Sequence, residues 1–340
     1  MSILICLILI ALIYIWIVVR HDTRTFVVRT YDVTSPKITK ETSFCVLADL
    51  HEKDYGYDNR ALLYEIAELK PDFVLSAGDL LTAHHNPSRC YDASTVRLLT
   101  EIAEQCPVYL GSGNHETKLR EMPDRYGDYY EAYERRITEA GIRVLHNEKP
   151  FAVSEDIDLA ALELDLSYFS HGIQKPLSYG DVEALIGTPD EKRFTVLLAH
   201  EPGRFRAYGE WGADLVLSGH LHGGVARIPY VGLISPTLHP FPFYDGGAYL
   251  RRTDPHETGR PPEETHIHFG VRHPDGQMIY LEENLHAMVV SRGLGTHTIH
   301  VRFNNPGELV FIRLHPAEGA DAETAAKGHG HGTGSQAAGI

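Results

Sequence analysis

The chain has 340 residues, of which 43% are hydrophobic and 23% charged, and its formal net charge is −15. This length is enough to bury one large hydrophobic core. A strongly negative protein repels nucleic-acid phosphates at long range, because nucleic-acid binding normally depends on clustered Lys and Arg. We therefore expect no nucleic-acid partner.

The first element is an uncharged apolar stretch over residues 3–19 (ILICLILIALIYIWIVV). As a helix it reaches about 25 Å, which is enough to cross a slightly thinned bilayer. Arg20, Arg24 and Arg29 follow it, and Trp16 lies near its end. By the positive-inside rule, these arginines place the rest of the chain on the cytoplasmic side. We predict a single-pass anchor over residues 1–20 in the inner membrane.

Two other interpretations of this stretch stay open. A cleaved secretory signal would have a basic start and a small-residue cleavage site, whereas only Met1 and Ser2 precede the stretch and Val-Val-Arg follows it. The stretch could also be a core helix buried inside a domain. No polar face interrupts the run, which counts against this interpretation. An uncleaved anchor is the interpretation we favour.

After a juxtamembrane segment over residues 21–41, the sequence is typical of an alternating α/β domain that we place at 42–316. Short apolar runs end abruptly in Asp, Asn, His or Gly, as buried strands do where they meet their loops. The runs are Phe44 to Ala48, Phe73 to Ala77, Val108 to Leu110, Phe194 to Ala199 and Leu215 to Leu217. Helical patterns at Asn59 to Leu69 and Tyr129 to Ala140 separate the early runs.

The second half of the chain predicts a further sheet and two irregular regions. Short strands between Ile142 and Leu164 predict a second, partly antiparallel sheet. Residues 251–284, rich in Pro, Gly, His and charge, are typical of a surface excursion. Its histidines are therefore interpreted as loop residues and not as metal ligands: His256, His266, His268 and His273. The Gly, Ala and His of residues 317–340 predict a disordered tail.

Side chains that bind divalent cations follow five of the apolar runs. Because the carboxyl ends of parallel strands line one crevice, residues from separate segments can converge there. Carboxylate, amide and imidazole groups of this kind hold pairs of cations that activate water. The segments are ADLH with Asp49 and His51, SAGDL with Asp79, GSGNHE with Asn114 and His115, LLAHEP with His200, and LSGHLHGG with His220 and His222. Each is weak evidence alone, and Asn114 could also be a helix N-cap; the ordered set is what indicates a metal centre.

This ordered pattern over residues 42–224 resembles the calcineurin-like metallophosphoesterase superfamily. The resemblance implies a four-layer α/β/β/α sandwich and metal-dependent hydrolysis of a phosphoester or pyrophosphate bond. Residues 291–314 (SRGLGTHTIHVRFNNPGELVFIRL) are also similar to the end of a membrane-associated bacterial branch. That branch includes UDP-2,3-diacylglucosamine hydrolases and phospholipid phosphodiesterases, which implies a lipid-linked substrate.

The resemblance also implies roles for individual residues. Asp49, His51 and His222 would hold one metal ion, Asn114, His200 and His220 would hold the other, and Asp79 would bridge the two. His115 matches the histidine near the leaving-group oxygen, and Glu116 matches an acid that orients a ligand or that imidazole. The two divalent ions would be Mn by resemblance, while Fe, Zn and Co suit the same donors.

Three further interpretations stay open at this stage. Phe241, Phe243 and Tyr244, with the apolar stretch over residues 228–238, either form a lipid-facing lip or pack in the core. The same metal centre could serve a phosphodiesterase for soluble nucleotides or nucleic acid. A metal-binding scaffold without turnover is the alternative outside enzymes.

Overall fold

The computed structural model describes residues 2–169, 175–228, 231–236, 238, 240–253, 264–267, 277–282, 284–296 and 299–317. Within these, the α-helices are α1 (Ser2–Asp22), α2 (Arg60–Leu69), α3 (Ala93–Ala103), α4 (Asn114–Glu121), α5 (Pro123–Tyr126), α6 (Tyr129–Glu139), α7 (Tyr179–Ile186) and α8 (Phe205–Trp211). The strands are β1 (Phe26–Ser35), β2 (Thr42–Leu47), β3 (Phe73–Ser76), β4 (Val108–Leu110), β5 (Arg143–Val144), β6 (Glu148–Ala152), β7 (Ile157–Leu162), β8 (Phe194–Ala199), β9 (Leu215–Ser218), β10 (Ala226–Ile228), β11 (Val231–Ile234), β12 (Gly247–Arg252), β13 (Glu264–Ile267), β14 (Gln277–Tyr280), β15 (Leu285–Val290) and β16 (Gly307–Pro316).

Two seven-stranded sheets form the body of the molecule. Their strand orders are β14-β1-β16-β2-β3-β4-β5 and β13-β12-β15-β9-β8-β7-β6, and β10 and β11 form a separate hairpin. Apolar side chains from both sheets, such as Phe44 and Phe194, make the central core. Helices α2, α3 and α6 cover the outer face of the first sheet, and α7 and α8 cover that of the second. The predicted four-layer α/β/β/α sandwich is confirmed.

The predicted strands and helices occur where the apolar runs placed them. Strands β3, β8 and β9 are buried along their whole length, because helices cover one face of each sheet and the other sheet covers the second face. β2, β3 and β4 are parallel neighbours, as are β7, β8 and β9. β6 pairs antiparallel with β7, as predicted for the second sheet. The carboxyl ends of the parallel strands meet at one edge of the sandwich.

One strand of the first sheet lies in the segment interpreted as juxtamembrane. β1 pairs in parallel with β16 from Phe26 to Ser35 and with β14 on its other side. The boundary at residue 42 is thus wrong for the sheet, which begins at residue 26. The sequence FVVRTYDVTS lacks a continuous apolar run because its fully buried second half contains Asp32, which pairs with Arg313 and His315.

The region interpreted as a surface excursion also contributes to the sheets. β13 is the edge strand of the second sheet, and β14 is the edge strand of the first. Ile279 and Leu281 are buried at 1% and 5% exposure and belong to the central core. The expectation of no core element over residues 251–284 is therefore wrong for this part. His266 lies in β13 opposite Tyr249, so its interpretation as a loop residue is wrong. His256, His268 and His273 and the predicted tail beyond residue 317 lie outside the described residues.

Helix α1 is exposed along its apolar length among the residues that the structure describes. The 18-residue apolar window within Ile3–Asp22 has a mean hydropathy of 2.9, and none of it is buried. This exposure excludes a core helix, which leaves a membrane span or a signal sequence. Arg20 lies over the Trp16 ring, 5.7 Å from its centroid, near the end of the helix.

Candidate metal centre

The predicted ligands converge where the parallel strands end. Three overlapping groups have donor atoms within 4.8 Å of one another. The first is Asp49, His51 and His222, the second is His51, Asp79 and His115, and the third is Asp79, His200 and His220. Loops that follow five strands of the two sheets, β2, β3, β4, β8 and β9, therefore meet in one cluster.

Asp79 lies at the centre of this cluster. Its Oδ2 is 3.1 Å from Nε2 of His200 and 3.9 Å from Nε2 of His51. Asp49 lies beside it, with Oδ1 3.3 Å from Nε2 of His222 and 3.8 Å from Nε2 of His200. A carboxylate within reach of both groups of imidazoles has the geometry of a bridge between two ions.

His220 and Asn114 meet on the side of the cluster that His200 occupies. Asn114 Oδ1 lies 2.9 Å from Nδ1 of His220, and the two imidazoles of His200 and His220 are edge to face, with centroids 5.4 Å apart. Asn114 is the first residue of α4, and the preceding Gly113 occupies the N-cap. The alternative of Asn114 as a helix cap is therefore wrong, and its side chain faces His220 instead.

Two of the histidines present a lone pair to the cluster because a backbone carbonyl fixes their tautomer. The Nδ1–H of His200 faces the carbonyl of Ala77 at 2.7 Å, and that of His222 faces the carbonyl of Gly295 at 3.3 Å. In the neutral imidazole the other nitrogen, Nε2, is then an acceptor. Nε2 of His200 points at a carboxylate oxygen of Asp79, and among the described residues it makes no well-aligned hydrogen bond. Two acceptors at this distance, Nε2 of His200 and the carboxylate oxygen of Asp79, require a positive charge between them. The side chains of the cluster therefore fit a site for cations.

The pKa values of the buried side chains also indicate a site that holds positive charge. Burial raises the pKa of Asp49 to about 7, and the charge of Asp79 adds to the rise. Burial acts on Asp79 too, but His200 and His115 outweigh it and hold the pKa of this carboxyl well below its usual range. Burial lowers the pKa of His200, and Asp79 and Asp49 more than reverse this and raise it to about 10. The cluster thus retains positive charge, as a proton or as a metal ion.

His115 has a tautomer set by the backbone. Its Nδ1 accepts a hydrogen bond of 2.8 Å from the N–H of Ala83. Since an amide always donates, the proton of the neutral imidazole is on Nε2. The ring lies edge to face with that of His51, with centroids 4.8 Å apart. His115 therefore lies beside the cluster, and Nε2 is the nitrogen of its neutral ring that donates.

Glu116 connects the two loops that carry Asp79 and His115. Its carboxylate accepts hydrogen bonds from the N–H groups of Asp79, Leu81 and Gly113 at 2.8, 2.9 and 3.0 Å. Burial and the nearby charge of Asp79 raise the pKa of Glu116 to about 8. Glu116 therefore orders the backbone around Asp79 and Gly113.

Several further residues at this site do not belong to the predicted ligand set. Glu201 lies with Oε2 3.4 Å from Nε2 of His220, and Thr82 Oγ1 lies 3.2 Å from Nδ1 of His51. Phe169 packs its ring 5.2 Å from that of His220. The segment LLAHEP contains Glu201 next to His200 and could have suggested it, whereas Thr82 and Phe169 have no signal in the sequence.

Comparison with known proteins identifies the family. The sequence profile described as calcineurin-like phosphoesterase matches residues 42–224, more than half of the chain. This chain belongs to that family. The matched residues include all seven candidate ligands, together with His115 and Glu116.

Relatives with assigned names are metallophosphoesterases as well. The uncharacterized metallophosphoesterase YkuE of Bacillus subtilis is 27% identical over 275 residues, which cover 78% of this chain and 77% of YkuE. Phosphodiesterase YaeI of Escherichia coli is 27% identical over 192 residues, 55% of this chain and 62% of YaeI. A metallophosphoesterase of Campylobacter jejuni is 23% identical over 64% of this chain and 54% of its own length.

Solved structures match only part of this chain. The NAD nucleotidase of Haemophilus influenzae matches with a TM-score of 0.34 at 15% identity, over 55% of this chain and 40% of that protein. A dimetal phosphatase from Danio rerio matches with a TM-score of 0.33 at 13% identity, over 54% and 82%. Similarity at this level is too low to transfer an activity.

Family membership and fold together make this chain a hydrolase of the metallophosphoesterase type. Members of the family use two divalent metal ions, and the described residues include the donor groups to hold them.

Proposed function

We propose that this metallophosphoesterase hydrolyses a lipid-linked phosphoester or pyrophosphate at a centre with two divalent metal ions. We propose Mn²⁺ as the metal. The observation that carries the proposal is the buried cluster of acceptors around Asp79. One ion is assigned to Asp49, His51 and His222, the other to Asn114, His200 and His220, with Asp79 between them. When bound, such ions acidify water and neutralise charge on phosphoryl oxygens.

The residues of the chain supply position and proton transfer. Glu116 fixes the backbone of Asp79, and the carbonyls of Ala77 and Gly295 fix the imidazoles of His200 and His222. These contacts hold the ligands in place before substrate arrives, which lowers the reorganisation needed in the reaction. His115 donates its Nε2 proton to the departing oxygen.

Exposed aromatic and aliphatic side chains beside the site support a lipid-linked substrate. Leu238, Phe241 and Phe243 are 61%, 67% and 60% exposed. Phe241 is tied to the β10–β11 hairpin by a hydrogen bond of 3.0 Å from its N–H to the carbonyl of Leu233. That hairpin follows His222 after three residues. Tyr244 is half-buried and packs on Tyr249, so of the three aromatic residues of the lip it is the one that fits core packing.

The apolar helix supports the same class of substrate. An uncleaved α1 would confine the enzyme to a membrane surface, where lipid headgroups are concentrated. The arginines that follow the helix favour the cytoplasmic face of the inner membrane for the domain. Arg20 is exposed, whereas Arg29 pairs with the buried Glu308 in the folded sheet.

Replacement of Asp79 tests the metal centre directly. In Asp79→Asn one negative charge is lost from the position between the two groups of imidazoles, so both ions should be held more weakly. We expect turnover of a simple aryl phosphodiester to fall by at least about 100-fold with Mn²⁺ present. Metal content measured by elemental analysis should fall in parallel.

The matched control is Asp124→Asn, which removes an exposed carboxylate of α5 outside the cluster. It should keep wild-type turnover and metal content. Full activity of Asp79→Asn would contradict the proposed centre. A screen of the wild-type protein against lipid and nucleotide phosphoesters with Mn²⁺ then decides between the lipid-linked substrate and soluble nucleotides.

A further inference from the structure

The C-terminal end of α1 is joined to the loops below it by buried hydrogen bonds. Asp22, the last residue of the helix, is only 6% exposed although the helix itself is not covered. Its Oδ2 accepts a hydrogen bond of 2.9 Å from the backbone N–H of Asn305. The next residue, Thr23, accepts through Oγ1 from the backbone N–H of Arg302 at 3.2 Å. Residues 302–305 are thus bound to the helix end at two points.

The position of Asp22 is unfavourable for the helix alone. The last turn of a helix carries partial negative charge on its carbonyls, so an acidic side chain there is destabilising. The bond to Asn305 gives this carboxylate a partner outside the helix. The hydrogen bond to Asn305, and not helix formation, therefore explains the acidic residue at this position.

Asn305 continues this connection to the turn after His222. Its side chain is fully buried, and Nδ2 donates to the carbonyls of His222 and Gly224 at 2.8 and 2.6 Å. Gly223 lies between them with φ +69, and a Cβ there would come within 2.8 Å of Oδ1 of Asn305. The amide of Asn305 therefore fixes the backbone directly after His222.

Arg302 makes a second connection, from Thr23 to the ring of His222. Its guanidinium is fully buried and donates to the carbonyls of Arg292 and Gly293, both at 2.9 Å, and to that of Gly295. The carbonyl of Gly295 is the one that faces Nδ1 of His222. Arg302 therefore holds the acceptor that sets the tautomer and orientation of this imidazole.

We propose that Asp22 and Thr23 are positioning residues of the metal centre. Through Asn305 and Arg302, the end of the apolar helix holds His222 in the orientation that binds an ion together with Asp49 and His51. The inference rests on the metal centre of the proposed function and deepens it. Hydrogen bonds thus connect the end of the apolar helix to the metal ligand His222. A displacement of the helix end in the lipid would therefore also displace His222.

The contrasting interpretation is that these bonds only secure the connection between α1 and β1. A connection of that kind would affect the stability of the fold without affecting cation binding. Thr25 provides the comparison, because its Oγ1 donates to the carbonyl of His21 within the same turn. It has the same side chain in the same connection but makes no described side-chain contact with residues 302–305.

The experiment measures Mn²⁺ binding by titration calorimetry on the full chain in detergent micelles. Asp22→Ala and Thr23→Val should each weaken one of the two sites by about tenfold, as loss of groups that orient metal ligands does, and leave the other site unchanged. Thr25→Val should bind both ions as the wild type does. Asp22→Asn and Thr23→Ser keep the acceptor oxygens and should restore binding.

Each outcome separates the two proposals. Wild-type affinities in Asp22→Ala and Thr23→Val overturn the inference and leave the proposed function standing, as does an equal loss in Thr25→Val. A folded wild-type chain that binds no cation overturns the proposed function itself. If Asp22→Ala fails to fold, Thr23→Val decides, because valine keeps the shape of threonine and circular dichroism of the metal-free protein reports its folding.

Discussion

Five of the seven candidate ligands have a positive φ, which side chains other than glycine rarely adopt. They are Asp49, His51, Asp79, His220 and His222, with φ between 47° and 75°. Each such residue costs about 1–2 kcal/mol relative to an ordinary conformation. The sequence reveals which residues have donor groups and where the strands end, and so the ligands could be predicted. The strained backbone that turns them inward, and the carbonyls that fix their tautomers, depend on contacts between distant loops and could not.

His115 provides a prediction at the residue scale. Because Nε2 carries the proton of the neutral ring, His115→Ala should slow poor leaving groups far more than good ones, which need no protonation. A series of aryl phosphodiesters with leaving groups of increasing pKa should show a steeper dependence of kcat in the variant. His85→Ala, an exposed histidine, should give the wild-type slope. An equal loss for every leaving group would argue for a binding role instead.

At the scale of elements, continuous apolar runs predicted the central strands, whereas strands without such a run, β1, β13 and β14, were not predicted. β3 and β8 are covered on both faces and are apolar except for Ser76 and Thr195. β1 contains the buried, ion-paired Asp32, and β13 and β14 are edge strands, where polar residues are tolerated, so these sequences do not distinguish strand from loop. The metal ligands follow central strands. This explains why the site was easier to predict than the borders of the sheets.

A buried ion network between α4, α6 and the end of β7 gives a prediction about pH. Burial alone would raise the pKa of Glu163, but hydrogen bonds from His146 and Arg120 lower it to about 2. Because its usual pKa is 4.5, the ionised carboxylate stabilises the fold by about 3 kcal/mol above pH ~4.5. This contribution is lost as the pH falls towards 2.

Glu163→Gln should therefore lower the free energy of unfolding in urea at pH 6 and approach the wild type as the pH falls from about 4.5 to 3. His146 has a raised pKa, chiefly through its hydrogen bond to Glu163, so its share is present at low pH and is lost as the pH rises through that pKa. Glu148→Gln is the control, since its pair with Arg143 is exposed and should contribute little. A difference from wild type that is independent of pH would refute the assignment.

For the whole molecule, the proposed function makes the apolar helix an anchor that determines which substrates the enzyme meets. Deletion of residues 1–20 keeps Asp22 and Thr23 but removes the proposed membrane anchor. Hydrolysis of a micellar lipid phosphoester should fall by roughly tenfold or more through the lost effective concentration, while a soluble aryl ester should be cleaved at the original rate. Equal losses on both substrates would count against a membrane substrate.

The orientation of the molecule in the membrane is a separate prediction. A reporter enzyme fused after Arg29 should be active on the cytoplasmic side, because Arg20, Arg24 and Arg29 follow the apolar stretch. A second fusion in which these arginines are replaced by glutamine should weaken the preference. Activity found only outside the cell would reverse the proposed localisation and fit a signal sequence.

The pairing of β1 with β16 has a consequence for how the protein is made. Among the described residues, β1 bonds only to β14 and β16, so residues 26–35 meet neighbours that begin at residue 277. On the ribosome, the helix emerges and can enter a membrane long before either neighbour has been synthesised. The first sheet is therefore completed only after translation has passed residue 307, with β1 waiting as an unpaired strand.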